Sequence, residues 1–255
     1  MNFGPLIFLG MFVALAGSWF GLVLAPQLQW GRETSLKVGP PAQYYPAPRP
    51  GLAQQGREVY RSLGCAHCHS QVVRPVGFGN DYDRGWGSRR TVPRDYLWEE
   101  PLMLGSVRVG PDLANVGNRN PIKYALPWSY QATDREGQTQ EATQWHYRHL
   151  LNPAVHTPGS SMPAYKFLFT ERKRGDYPAR DALVLPDRFK VPAGVEVVPK
   201  PAAQALVAYL LSLQAESVLY EAPSKLLPEV RRAVKLTETN APAAVIITNL
   251  PASHP

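Results

Sequence analysis

The sequence predicts a mainly α protein: one N-terminal transmembrane helix, followed by a small helical domain with long Pro/Gly-rich loops. Three observations predict it. Leu6 to Ala25 (LIFLGMFVALAGSWFGLVLA) carries no charge. Two later segments, Leu52 to Leu63 and Ala202 to Leu213, repeat apolar residues at helical spacing. Proline is abundant, with 26 Pro beside 20 Gly in 255 residues, and proline interrupts both long helices and regular sheets. Hydrophobic residues at 44% suffice for a core, and 18% charged residues exclude a disordered polyelectrolyte. The formal charge is +7, but no Lys/Arg cluster is dense enough to read as a nucleic-acid surface. Two cysteines exclude a disulfide-built scaffold.

The elements follow in order. At about 1.5 Å per residue the Leu6–Ala25 run reaches about 30 Å, the hydrocarbon thickness of a bilayer. Pro5 and Pro26 bracket it and Trp30 follows at interface depth. No Lys or Arg precedes the run, and it is longer than a signal-peptide core, so residues 1–30 read as an uncleaved anchor. Gly10, Ala14, Gly17, Gly21 and Ala25 form a small-residue stripe suited to packing against another membrane helix. Residues 31–51 form a spacer; Gly39 to Gly51 (GPPAQYYPAPRPG) holds five prolines and predicts a stiff, extended polyproline segment. Residues 74–111 read as loop. A short helix is expected near Ala142 to Leu151, ended by Pro153. Residues 172–200 read as an insertion, with an extended piece at Val195 to Val198. After Ala222 a tail follows, with a basic amphipathic segment at Lys225 to Leu236 and a strand-like one at Ala244 to Leu250. The domain proper is expected over 52–221 and the tail over 222–255.

Cys65-Ala66-His67-Cys68-His69 carries the most chemistry. C-x-x-C-H is the covalent attachment pattern of c-type haem. Two thiols at this spacing reach the two vinyl-derived carbons on one porphyrin edge, and the following imidazole reaches the iron. Other readings of a Cys pair remain open here. A zinc site would need further ligands, and no second CxxC exists. A thioredoxin-like pair would want a βαβ context. A plain disulfide would leave His69 without a role.

Electron transfer calls for a sixth iron ligand. Of four Met, Met1 and Met11 belong to the anchor. Met162, in Ser-Ser-Met-Pro-Ala-Tyr after a helix, is the candidate; a soft thioether with His raises the reduction potential. Met103 reads as an apolar filler. Gly110-Pro111-Asp112-Leu113 supplies a carbonyl at Pro111 to accept the second N–H of His69, and Leu113 to cover the haem edge. Arg74 is a candidate for a haem propionate. His146, His149 and His156 read as structural histidines.

Together GREVYRSLGCAHCHSQVVRP, WEEPLMLGSVRVGPDLANVGNR and WHYRHLLNPAVHTPGSSMPAY resemble the membrane-anchored monohaem cytochrome c subunit (subunit II) of cbb3-type cytochrome c oxidases. The resemblance covers about residues 52–170, with the anchor and last helix matching by position. It implies a class I cytochrome c domain, one covalent haem c on Cys65 and Cys68, and His69 and Met162 as axial ligands. It implies no catalysis by the chain itself. Electrons would pass from another cytochrome c subunit or a soluble cytochrome c to the catalytic membrane subunit of a haem-copper oxidase, which reduces oxygen. The chain would lie in the lipid of the cell inner membrane with its haem domain periplasmic. The positive charges nearest the anchor, Arg32, Lys37 and Arg49, follow it and oppose that orientation, but the charge rule is weak for long translocated domains. Gly77 to Glu100, rich in Gly and Arg, departs from the family's pattern, and residues 172–200 and the tail lie outside the resemblance. An anchored cytochrome c of another complex, such as a nitric oxide reductase, and a non-haem metal module remain the alternatives.

Overall fold

The computed structural model describes residues 2–39, 43–118, 135–215, 217 and 219–222, with backbone alone at 135–139. The expected tail segments at Lys225–Leu236 and Ala244–Leu250 lie outside the described residues.

One continuous helix, α1 (Gly4–Trp30), opens the chain, and its apolar side chains are uncovered. Among the described residues it is the one helix long and apolar enough to cross a membrane. It extends past both ends of the uncharged run. Pro5 is tolerated because it lies in the first turn, where no intrahelical N–H bond is lost. Pro26 sits inside the helix, directly after a π-helical turn at Phe20–Leu24. Proline removes one helical donor, and a locally widened turn lets the helix continue past it.

The spacer is not the extended polyproline rod that its composition predicts. Strands β1 (Leu36–Val38) and β2 (Gln43–Tyr45) pair antiparallel, with Leu36 opposite Tyr45. The hairpin lies on the following domain. Arg94 bridges Glu33 at 2.7 Å and Glu221 at 2.6 Å, and also donates to Thr34 O. Buried Arg89 and Asp95 pair at 2.7 Å, and Tyr45 Oη donates to Asp95 at 2.6 Å. Trp98 Nε1 donates to Pro46 O at 3.1 Å. Pro46 O accepts from Ser35 Oγ at 2.8 Å, and Pro48 and Pro50 lie in the segment that leads into the next helix.

Helices α2 (Gly51–Ser62) and α5 (Pro201–Ser212) form the heart of the domain. They cross at Gly56. A Cβ there would lie 1.8 Å from Ala205 O and 2.9 Å from Tyr209 Cβ, so only glycine admits this approach. Tyr60 packs on Tyr209 with ring centroids 5.3 Å apart. The two segments with apolar residues at helical spacing thus pack on each other. The core around it gathers Leu113, Val116, Leu150, Leu168, Leu206 and Leu210. Helix α3 (Arg135–Leu151) closes one side and short α4 (Pro153–His156) follows, capped by Asn152. Strands β3 (Phe169–Lys173) and β4 (Val195–Pro199) pair antiparallel and feed directly into α5.

The long segment before Pro111 is loop, as expected, with a single-turn helix at Pro93–Tyr96. Arginine and carboxylate pairs hold it instead of regular structure. Fully buried Asp81 takes Arg108 at 2.7 Å and Arg74 at 2.8 Å. Glu99 takes Arg57 at 3.0 Å and Arg49 Nε at 2.8 Å.

Candidate cofactor site

Gly64, at φ 70°, turns the chain out of α2 in the left-handed region that favours glycine. A tight turn at Cys65–His67 follows; the N–H groups of Cys68 and His69 both donate to Cys65 O, at 3.1 and 3.0 Å. The turn separates the two thiols. Both are free; Cys68 is exposed, and Cys65 is half-buried against the core. Burial pushes the Cys65 thiol up to about 11, so it is protonated at neutral pH.

His69 is fixed by the loop that returns beneath it. Its Nδ1 lies 2.8 Å from Pro111 O. That carbonyl can only accept, so Nδ1 carries the proton and Nε2 is the nitrogen left able to bind a metal. Gly110 donates to Cys68 O at 2.9 Å, and a Cβ on Gly110 would lie 2.2 Å from His69 Cε1. The backbone therefore presses on the ring, and no larger residue fits. Gly105, at φ 84°, makes a similar approach to His69 O.

Asp112, between Pro111 and Leu113, is completely buried. It accepts from Ser70 Oγ at 2.6 Å, Val72 N at 2.7 Å and its near neighbour Ala114 N at 2.9 Å. Leu113 N donates to Ser70 O at 2.7 Å. These bonds tie the GPDL loop to the strand of chain just after His69. Sequence reasoning chose Pro111 and Leu113 and passed over Asp112, Ser70 and Gly110. The available signal was an acid flanked by apolar residues, which must be buried with its donors.

Met162 follows α4 and packs against the same apolar cluster as Cys65. The loop after α4 is pinned where Tyr165 N donates to Leu150 O at 2.9 Å. Met162, Tyr165, Cys65 and Ala66 pack against one apolar cluster that includes Leu113 and Leu150. Met103 is buried in that same cluster, at 6% exposure. Arg74 points elsewhere: its guanidinium is engaged by Asp81, and its backbone N–H donates to the same carboxylate at 2.8 Å.

The residues fit a haem held by two thioethers: a pair of free thiols in one turn, an imidazole with its distal nitrogen already oriented, a glycine-only wall on the ring, and an apolar lining carrying a thioether. The family model described as "Cytochrome C oxidase, mono-heme subunit/FixO" matches residues 41–206. The chain belongs to this family. The match begins within the spacer, runs through the α2–α5 crossing and the β3–β4 hairpin, and ends inside α5. The monohaem subunit is thus a largely helical cytochrome domain carried on a single N-terminal membrane helix. Residues 172–200 fall within the matched span of the monohaem subunit. The family is that of a subunit of cytochrome c oxidase, a complex whose function is respiratory electron transport. No curated protein matches the chain.

Proposed function

We propose that this chain passes single electrons through one covalently bound haem c to the oxygen-reducing membrane subunit of a haem-copper oxidase, receiving them from a soluble cytochrome c or another cytochrome c subunit. It performs no catalysis of its own. The observation that carries the reading is the 2.8 Å contact of His69 Nδ1 with Pro111 O, placed next to two free thiols at CxxCH spacing. In this reading Cys65 and Cys68 would hold the haem through two thioether bonds, and His69 and Met162 would supply its iron ligands. When bound, the haem supplies a one-electron iron couple.

The protein's own residues then hold that couple steady. Pro111 raises the basicity of His69 by accepting its Nδ1 proton, and Gly110 and Asp112 stop the ring from turning. Leu113 and Leu150 exclude water beside the ring and favour the less charged, reduced state. Arg74 remains on Asp81 and is not assigned to a propionate. Residues 1–30 anchor the chain, 31–51 connect, and 52–221 form the haem domain, which faces the periplasm of the inner membrane because covalent haem attachment takes place outside the cytoplasm.

The test is a haem-stained denaturing gel and a pyridine haemochrome spectrum of the full chain. One haem c is expected, lost in the Cys65→Ser/Cys68→Ser variant. Met162→Ala keeps the stain, lowers the reduction potential, and removes the weak Met-to-iron charge-transfer band of the oxidised protein. Haem absent from the wild-type chain overturns the function. Loss of that band in Met103→Ala instead of Met162→Ala overturns the ligand.

A further inference from the structure

A second set of polar groups lies beside this site and has no role in the reading above. His149 and His156 flank the end of α3 and of α4. Their rings are 5.9 Å apart, and His149 stacks on Trp145 at 4.8 Å and 9°. Arg188 Nη2 lies 3.5 Å from His156 Nδ1. A guanidinium only donates, so Nδ1 of His156 accepts and its proton sits on Nε2. That N–H is buried and has no hydrogen-bond partner among the described residues. Nε–H of Arg148, a residue only 9% exposed, is orphaned in the same way. Among the described residues, the acid paired in the cluster is Glu141, and it is already taken by the other end of Arg148.

A buried donor without an acceptor costs about 1–3 kcal/mol. Two such donors among cationic neighbours mark a place for an anionic acceptor. The electrostatics agree. Burial, followed by Arg148 and Arg188, holds His156 down at about 4. Burial, followed by His156 and His69, holds His149 at about 4. The cluster adjoins the candidate haem site: Leu150, the residue after His149, lies in the apolar cluster against which Cys65 and Met162 pack.

We propose that His156, Arg148 and Arg188, walled by His149 and Trp145, seat a haem propionate carboxylate. The inference rests on the haem reading. Cys65 and Cys68 hold the vinyl edge of the ring, so the two propionates extend from the opposite edge. One carboxylate there accepts from His156 Nε2–H and Arg148 Nε–H, and Arg188 balances its charge. Sequence reading assigned that task to Arg74, which the structure engages with Asp81.

The experiment is resonance Raman spectroscopy of the propionate bending modes of the full haem-loaded chain, with a redox titration on the same samples. His156→Leu is expected to shift one propionate mode and lower the reduction potential, because a less compensated carboxylate favours ferric iron. His156→Gln keeps an N–H donor and restores the mode towards wild type. Arg188 is exposed, so Arg188→Met gives the same readout even if His156→Leu fails to fold. Propionate modes unmoved in these variants overturn the proposal. So does a potential shift without a mode shift, which assigns the acceptor to a carboxylate other than the haem's. A wild-type chain without haem c in the pyridine haemochrome overturns the functional reading and this one with it. Haem c present with unmoved modes overturns this one alone.

Discussion

Asp81 and Asp112 place buried carboxylates inside a chain whose formal charge is +7. Each is acceptable only because donors converge on it. Burial raises the Asp81 carboxyl, but Arg74, Arg108 and the Arg74 N–H outweigh that and hold it at about 2. In the unfolded chain it titrates near 3.8. The stability it contributes is therefore full above about pH 4. It is lost as pH falls towards 2, where the folded form also takes up a proton. Asp81→Asn should cost about 1–3 kcal/mol at neutral pH, since two arginines lose the negative charge they share and one of its two oxygens becomes a donor. Urea unfolding of both proteins across pH 2 to 6 checks this; the difference should narrow only below about pH 4. A difference constant with pH would place the cost in packing instead. At this scale the sequence was most legible where chemistry dictates spacing. CxxCH and the GPDL carbonyl could be read directly. The Arg74–Asp81 pair could not be read, because nothing local distinguishes an arginine bound to a buried acid from one reserved for a ligand.

Among elements, the α2–α5 crossing was legible because both helices carry apolar residues at helical spacing, with Gly56 in the face that meets Ala205. The β3–β4 hairpin was half legible. Val195–Pro199 shows its β-branched residues, but Phe169–Lys173 buries only its first residue and so shows no alternation. Helix α3 starts at Arg135, seven residues before the apolar pattern does, because its first turns have no hydrophobic residue to announce them. Gly56→Ala tests the crossing. Alanine gains up to about 1 kcal/mol in helix propensity, yet its Cβ meets a backbone oxygen at 1.8 Å, and backbone cannot swing aside. Overpacking of about 1–3 kcal/mol should win, so the melting temperature should fall by several degrees. A variant that melts at or above the wild-type temperature would mean that the helices do not meet at this residue.

For the whole molecule, the decisive feature is how the domain is joined to its anchor. Proline content alone predicted a rod holding the domain away from the bilayer. Strands of three residues are too short to show a period-two pattern, so the hairpin left no signature. Its contacts, moreover, lie far along the chain: Tyr45 meets Arg89 and Asp95, and Arg94 holds Glu33 and Thr34 just before β1. The consequence is mechanical. Glu33 stands three residues after the last residue of α1, and Arg94 already holds it to the domain. The domain is therefore joined to the end of the helix by a short connection that Arg94 pins, and not by a long free tether. Arg94 is the residue to remove, because it joins Glu33, Thr34 and Glu221 without belonging to the core. Charged hydrogen bonds of this kind contribute about 1.5–3 kcal/mol, and one or two kcal/mol changes an opening equilibrium by about 5–30-fold. Lys37, on the exposed side of β1, offers trypsin a cut only when the hairpin lifts. Arg94→Ala should raise the rate of cleavage after Lys37 by about that factor, while the global unfolding midpoint moves little. Equal cleavage rates in the two proteins would show that the hairpin is held by something other than Arg94. Rapid cleavage in the wild type would return the segment to a tether.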